Sequence, residues 1–195
     1  VFADVDALNG NITLENIKKN VTQLTKGVII VHMAGYPCEL DKIINFCRVK
    51  KLILLEDCAH AVGTSFKKLH VGNYGLSGSF SFYPTKQITT GEGGMVITND
   101  KSFYKKIKKL KAFGIDKDIK DRKKQGDYDV KSLGFNYRMT DFQAALGLNQ
   151  IIKYKDNLKQ RHIIAKRYIK NFLNHDKVKC MPYSKNCSFF IFQIF

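Results

Sequence analysis

Two residues of this 195-residue chain could act together on a carbonyl compound. Asp57 follows one apolar run, in Glu56-Asp57-Cys58-Ala59-His60, and Lys86 follows another, in Tyr83-Pro84-Thr85-Lys86. A lysine amine can join an aldehyde as a Schiff base, and a carboxylate can keep a pyridine nitrogen protonated. That is the pair of groups pyridoxal 5'-phosphate (PLP) asks of a protein. Spacing alone leaves a second reading open, a surface lysine beside a helix-capping aspartate, because lysines are plentiful here.

The elements around these residues follow an α/β pattern. Thr13 is a plausible N-cap, and Leu14, Ile17, Val21 and Leu24 repeat at helical spacing, which predicts a helix over residues 13–24. Residues 27–33 form a continuous apolar run that ends in Ala34-Gly35-Tyr36-Pro37, as a buried parallel strand would. Leu40, Ile43, Ile44 and Cys47 predict a second helix, which returns the chain to a strand over 51–55. Further strands are expected at 79–83 and 95–98, with glycine-rich turns at 72–78 and 91–94. Helical pattern resumes over 101–110, a polar loop covers 115–129, and Thr140-Asp141-Phe142-Gln143 reads as a capping box opening a long helix to about residue 173. Ligands of open α/β sheets sit at the carboxyl ends of the strands, where Asp57, Lys86 and Thr89-Thr90-Gly91-Glu92-Gly93-Gly94 all fall.

Composition narrows the class. An apolar fraction of 44% with 12% aromatics argues for a folded core. The longest apolar runs, 27–33 and 188–195, fall short of the roughly 20 residues that a membrane helix needs. Five cysteines, none in a C-x-x-C pair or at metal-ligand spacing with histidine, favour a reducing compartment. No signal-peptide pattern opens the chain, so a cytoplasmic location is expected. The formal charge of +16 comes mainly from lysine-dominated stretches at 101–124 and 153–170. These read as solvated helix faces rather than as a nucleic-acid surface, since few arginines or aromatics interrupt them. Both ends look cut: the chain opens on Val1 and closes on the β-prone run 188–195.

The motifs together resemble the DegT/DnrJ/EryC1/StrS aminotransferases, a family of fold-type-I PLP enzymes. Glu56-Asp57-Cys58-Ala59-His60-Ala61, Phe80-Ser81-Phe82-Tyr83-Pro84-Thr85-Lys86 and Thr90-Gly91-Glu92-Gly93-Gly94 are similar to its signature, with Lys86 twenty-nine positions after Asp57. Val1-Phe2-Ala3-Asp4-Val5-Asp6, Val31-His32-Met33-Ala34-Gly35, Leu133-Gly134-Phe135-Asn136-Tyr137-Arg138-Met139 and Gln143-Ala144-Ala145-Leu146-Gly147 extend the likeness over nearly the whole chain.

The resemblance implies an α/β PLP-transferase large domain over residues 1–155, with a mostly parallel sheet flanked by helices. A linking helix and the start of a small C-terminal domain would occupy 156–195. Lys86 would be the Schiff-base lysine and Asp57 the partner of the pyridine nitrogen. His60 would lie near the ring oxygen, and Ser81 would bond the phosphate. Asn136 would reach a neighbouring subunit's phosphate, giving a homodimer with shared sites, and Arg138 would assist or brace that loop. Glu92 reads as an anchor without chemistry, His32 and Gly35 as cleft or core, and Cys58 as a thiol with no activating base. The implied reaction moves an amino group from glutamate to a keto group of a nucleotide-linked deoxysugar. Lys86 argues against the family's dehydrases, which lack the lysine. Family members also carry an upstream segment contacting the phosphate and cofactor ring, expected to be absent here, and a C-terminal portion of which only the beginning is expected, after about residue 175. Two alternatives follow: a PLP-binding but idle or regulatory homologue, and a basic nucleic-acid-binding domain.

Overall fold

Thr13 caps the first helix of the computed structural model, which describes residues 1–117 and 119–195. Its Oγ1 accepts the Asn16 N–H at 3.2 Å. The helix, Leu14–Asn20 (α1), stops short of the predicted residue 24. Thr22 and Thr25 draw the chain out of it, because Thr25 Oγ1 accepts the Thr22 N–H at 2.9 Å, a local bond that competes with helix.

The sheet that follows carries the candidate chemistry. Gly27–Val31 (β1) pairs in parallel with Ile53–Asp57 (β2), after the helix Leu40–Lys50 (α2) has returned the chain. β2 lies two residues later than predicted. Lys51 turns left-handed at φ 54°, and the Leu52 N–H still bonds Cys47 at the end of α2, so pairing starts only at Ile53. Asp57 is therefore the last residue of its strand rather than a residue beyond it.

A short hairpin, Ser65–Phe66 (β3) with Leu69–His70 (β4), was not expected, since its turn residues Lys67 and Lys68 take positive φ without a glycine or asparagine. Ser77–Ser81 (β5) runs parallel to β2, and Gly94–Ile97 (β6) runs antiparallel to β5, giving the order β1-β2-β5-β6. β5 also sits two residues earlier than predicted: its pairing with β2 already begins at Ser77, and past Ser81 the Phe82 carbonyl accepts the Thr90 N–H of the following turn.

Helix Lys101–Leu110 (α3) matches its predicted span, with Asp100 as its N-cap. The polar loop expected over 115–129 has a turn of 3-10 helix at Ile119–Asp121, and its residue 118 lies outside the described residues. Asp141–Phe172 (α4) opens on the capping box read from the sequence, with Thr140 and Gln143 bonded reciprocally. It runs unbroken through residue 155, where the sequence reading divides the large from the small domain.

Ile30, Leu40, Ile43, Leu54 and Phe80 form the main core, between α1, α2 and one face of the sheet. Burying each such side chain contributes roughly 1.5–3 kcal/mol. Ile29, Val31 and Ile53, which alternate with them, are exposed on the other face. Ala34, Ala165, Met181, Cys187 and Phe189 make a second core beneath α4. The run 188–195 is not one strand: Phe189 turns left-handed at φ 46°, the Ser188 and Phe190 amides bond the carbonyls of Gly35 and Ala34, and only its end pairs, Ile194 bridging Cys180 in antiparallel fashion. No helix among the described residues is long and apolar enough to cross a membrane.

Candidate active site

Asp57 closes β2 between Val31 and Ser79, and its carbonyl accepts the His32 N–H at 3.1 Å. Its Oδ1 accepts the Ala59 N–H at 2.9 Å, which tightens the turn that carries His60. Ser79 and Ser81 share a sheet face with Asp57, since side chains alternate along a strand. Ser81 Oγ accepts the Tyr83 N–H at 3.3 Å and so shapes the first step of the turn toward Lys86. Lys86 sits one turn further, its N–H bonded to the Tyr83 carbonyl.

Lys86 and His60 meet on one aromatic ring. Lys86 Nζ lies 5.0 Å from the Phe190 ring centroid, and the His60 ring lies 4.5 Å from it at 33°. His60 Nδ1 is buried and finds no hydrogen-bond partner among the described residues. Burial, and then the charge of Lys86, hold the His60 imidazole below its usual range, with Asp57 pulling the other way. The fold therefore brings both Lys86 and Asp57 within electrostatic reach of His60.

Asn136 stands apart from that group. It bridges Ala112 beyond the end of α3, is exposed, and its Oδ1 accepts from Arg138 Nε at 3.3 Å. Arg138 in turn covers the Phe113 ring at 5.0 Å. Gly93 and Gly94 are required sterically, since a Cβ at Gly93 would meet Thr90 Oγ1 and one at Gly94 the Phe80 carbonyl.

Several participants carry no motif. Ser188 is buried at the back of the site: its Oγ bonds Thr64 Oγ1 at 2.9 Å and the His60 carbonyl at 3.3 Å, and its carbonyl accepts from Gln87 Nε2 at 3.1 Å. The apolar pattern of 188–195 was the only signal, and it pointed to a strand. A Cβ at Gly35, where φ is +81°, would overlap Ser188 Oγ and lie 2.9 Å from the His60 carbonyl. Gly35→Ala is expected to lower stability by roughly 3 kcal/mol, from left-handed strain plus overpacking. Urea unfolding of the two proteins measures it.

His32 and Glu56 brace the site from below. The Cys38 N–H donates to His32 Nδ1 at 3.1 Å, so the ring proton sits on Nε2 and is donated to Glu56 Oε2 at 3.0 Å. Both side chains are fully buried. Burial would raise the Glu56 carboxyl, but His32 and the N–H groups of Gly72, Tyr74 and Gly75 outweigh it and hold it below the usual range. Ligand atoms of His32, Glu56 and Cys58 lie within 4.8 Å of one another, as a metal site would require. These contacts already engage the His32 and Glu56 atoms, and burial keeps the Cys58 thiol protonated by pushing it far up. The cluster is a hydrogen-bonded brace.

The His60 shift sets a pH dependence. With a depressed folded value, the unfolded chain takes the proton first as pH falls. This stabilisation is intact above about pH 6.5 and is lost as pH drops through the folded value. His162 is held low in the same direction, by burial and then Lys166. The urea midpoint should fall from about pH 7 to about pH 5, and the slope should be shallower in His60→Gln.

The architecture is that of the large domain of fold-type-I PLP aminotransferases. Helicobacter pylori PseC, an aminotransferase involved in pseudoaminic acid biosynthesis, superposes with a TM-score of 0.92 over 100% of this chain and 51% of its own, at 32% identity. The Escherichia coli GDP-4-keto-6-deoxy-D-mannose-3-dehydratase with bound hydrated PLP gives 0.90 over 99% and 52%, at 27% identity. The chain belongs to the DegT/DnrJ/EryC1/StrS aminotransferase family, whose model matches residues 1–194. The GDP-perosamine synthase of Escherichia coli O157:H7 is 37% identical over 171 residues, 88% of this chain and 45% of that protein. The chain thus spans about half the length of the relatives it matches.

Proposed function

We propose that the protein of which this chain is a part is a PLP-dependent aminotransferase, moving an amino group from glutamate to a keto group of a nucleotide-linked deoxysugar. The observation that carries this reading is the convergence of Lys86 and His60 on one ring beyond the carboxyl ends of two parallel strands, one of which closes on Asp57. The residues fit the cofactor: a buried His60 Nδ1 without a partner can bond a ring oxygen, and the Asp57 carboxylate can face a ring nitrogen. When bound, PLP supplies an electron sink next to the substrate carbon.

In this reading Lys86 holds the cofactor aldehyde through its amine and moves the proton at the substrate carbon. Asp57 keeps the ring nitrogen protonated through a charge-assisted hydrogen bond. His60, kept neutral by its surroundings, orients the ring, and the Ser81 hydroxyl holds the phosphate. Asn136, exposed and turned away from this chain's own cluster, serves a second subunit, which makes the enzyme a homodimer. The relatives named above, a GDP-perosamine synthase and an aminotransferase of pseudoaminic acid biosynthesis, support a sugar nucleotide as acceptor. A cytoplasmic site of action suits such a substrate and the free cysteines.

The test is the visible absorption spectrum after adding PLP, recorded before and after glutamate, on this chain and on a version extended to the length of its relatives. A band bleached by glutamate is expected in the extended protein. A band that glutamate leaves unchanged would mean a cofactor-binding homologue without transfer. No band in either version, with salt-sensitive binding to RNA or DNA, would replace the reading with a nucleic-acid function.

A further inference from the structure

Phe190 lies about a hundred residues beyond Lys86, yet its ring is what Lys86 and His60 share. Its backbone is fixed on both sides: the N–H donates to the Ala34 carbonyl at 2.9 Å, and the carbonyl accepts from Arg161 Nη1 at 3.1 Å. Phe189 before it fills the second core at 4% exposure. The Ser188 carbonyl before that accepts from the side chain of Gln87, the chain neighbour of Lys86, so the segment that carries the ring is also tied to the residue next to the lysine. Phe190 itself stays half-buried, with the Lys86 amine and the His60 ring against it. An aromatic face attracts an ammonium through its quadrupole, and an apolar wall keeps bulk water from the amine.

We propose that Phe190 is a positioning residue of the lysine centre, the wall that sets where the Lys86 amine rests and keeps the His60 ring turned toward it. The consequence for cofactor capture rests on reading Lys86 as the cofactor lysine. The contact itself stands without that reading.

Phe190→Leu keeps apolar bulk and removes the ring face, whereas Phe190→Tyr keeps the ring. Phe190→Met is the second flat-face deletion should the leucine variant fail to fold. The first readout needs no cofactor. Lysines are reductively methylated with 13C, and the Lys86 signal is assigned by its loss in Lys86→Arg. A ring-current displacement is expected in the parent and in Phe190→Tyr, and its collapse to the position of solvated lysines in Phe190→Leu or Phe190→Met. The second readout is the rate at which added PLP is fixed on Lys86 by borohydride, located by peptide mapping, in the version extended to the relatives' length. A fall of roughly three- to ten-fold is expected without the ring, with recovery in Phe190→Tyr.

A Lys86 signal at the solvated position in the parent would overturn the proposal. So would a signal that moves while the capture rate stays unchanged, since the ring would then touch the amine without positioning it. If the parent fixes no PLP on Lys86, the functional reading fails, and the methyl signal alone decides whether the contact exists.

Discussion

Lys86→Ala is expected to lose the visible band with added PLP entirely, and to lose borohydride-fixed cofactor at that peptide. In the extended protein, amino transfer should fall by about three orders of magnitude, the scale of removing a positioned acid–base group. The fold should survive, because the Lys86 side chain is half-buried and its structural bond is made by its backbone N–H to Tyr83. A change in the urea midpoint beyond what about 0.5 kcal/mol produces would point to a structural lysine instead. Lys86→Arg sharpens the experiment. Arginine keeps a cation over Phe190 but cannot take up the cofactor aldehyde, so it should keep stability and still lose the band. Should either variant retain a glutamate-sensitive band, Lys86 is not the cofactor lysine.

Glu56→Ala is expected to have the largest effect on stability, about 3–5 kcal/mol, as several buried donors lose their acceptor at once. The carboxylate is 1% exposed and accepts from Gly72, Tyr74 and Gly75 as well as His32, so alanine strands four donors in the interior. A domain of this kind is stable by roughly 5–15 kcal/mol, so the variant should be marginal at ambient temperature. Because the folded carboxyl is held low, the parent should keep this contribution above about pH 4.5 and lose it as pH falls through the folded value. Glu56→Ala should lack that acid limb in a plot of urea midpoint against pH. A parent-like midpoint in the variant would show that water replaces the carboxylate without cost.

The candidate site residues were legible because they stand at the ends of apolar runs, and α/β sheets put their ligands there. Strand positions were read two residues out at β2 and β5 for a physical reason. An apolar run shows which residues are buried, but the first paired residue depends on the partners: for β2 on where α2 releases its last amide, Leu52 to Cys47, and for β5 on the Leu76 N–H reaching the Leu54 carbonyl. The direction of β6 could not be read, since parallel and antiparallel strands bury the same side chains. Lys67 and Lys68 gave no turn signal, because side chains that favour positive φ are absent from that pair. The greatest difference concerns 188–195, whose β-prone residues resemble a strand. The Ser188 and Phe190 amides are spent on Gly35 and Ala34 across the fold, a contact that no local pattern encodes, and only the last residues pair, as a bridge of Ile194 with Cys180. Phe190 was invisible for the same reason, as was the unpartnered Nδ1 of His60.

The Ser188 segment also imposes an order of events on the growing chain. Its bonds to Thr64, His60 and Gln87 span 124, 128 and 101 positions, and loop closure over such distances must be met before the contacts repay it. At a synthesis rate of roughly 5–20 residues per second, Lys86 is made about 5–20 s before this segment. Through that interval the lysine exists on a nascent sheet with no ring beneath its amine and no bond from Ser188 to Gln87. Assembly of this corner is therefore a late, long-range step, and a ribosome that pauses between Gln87 and Ser188 lengthens the time that Lys86 waits there without its wall.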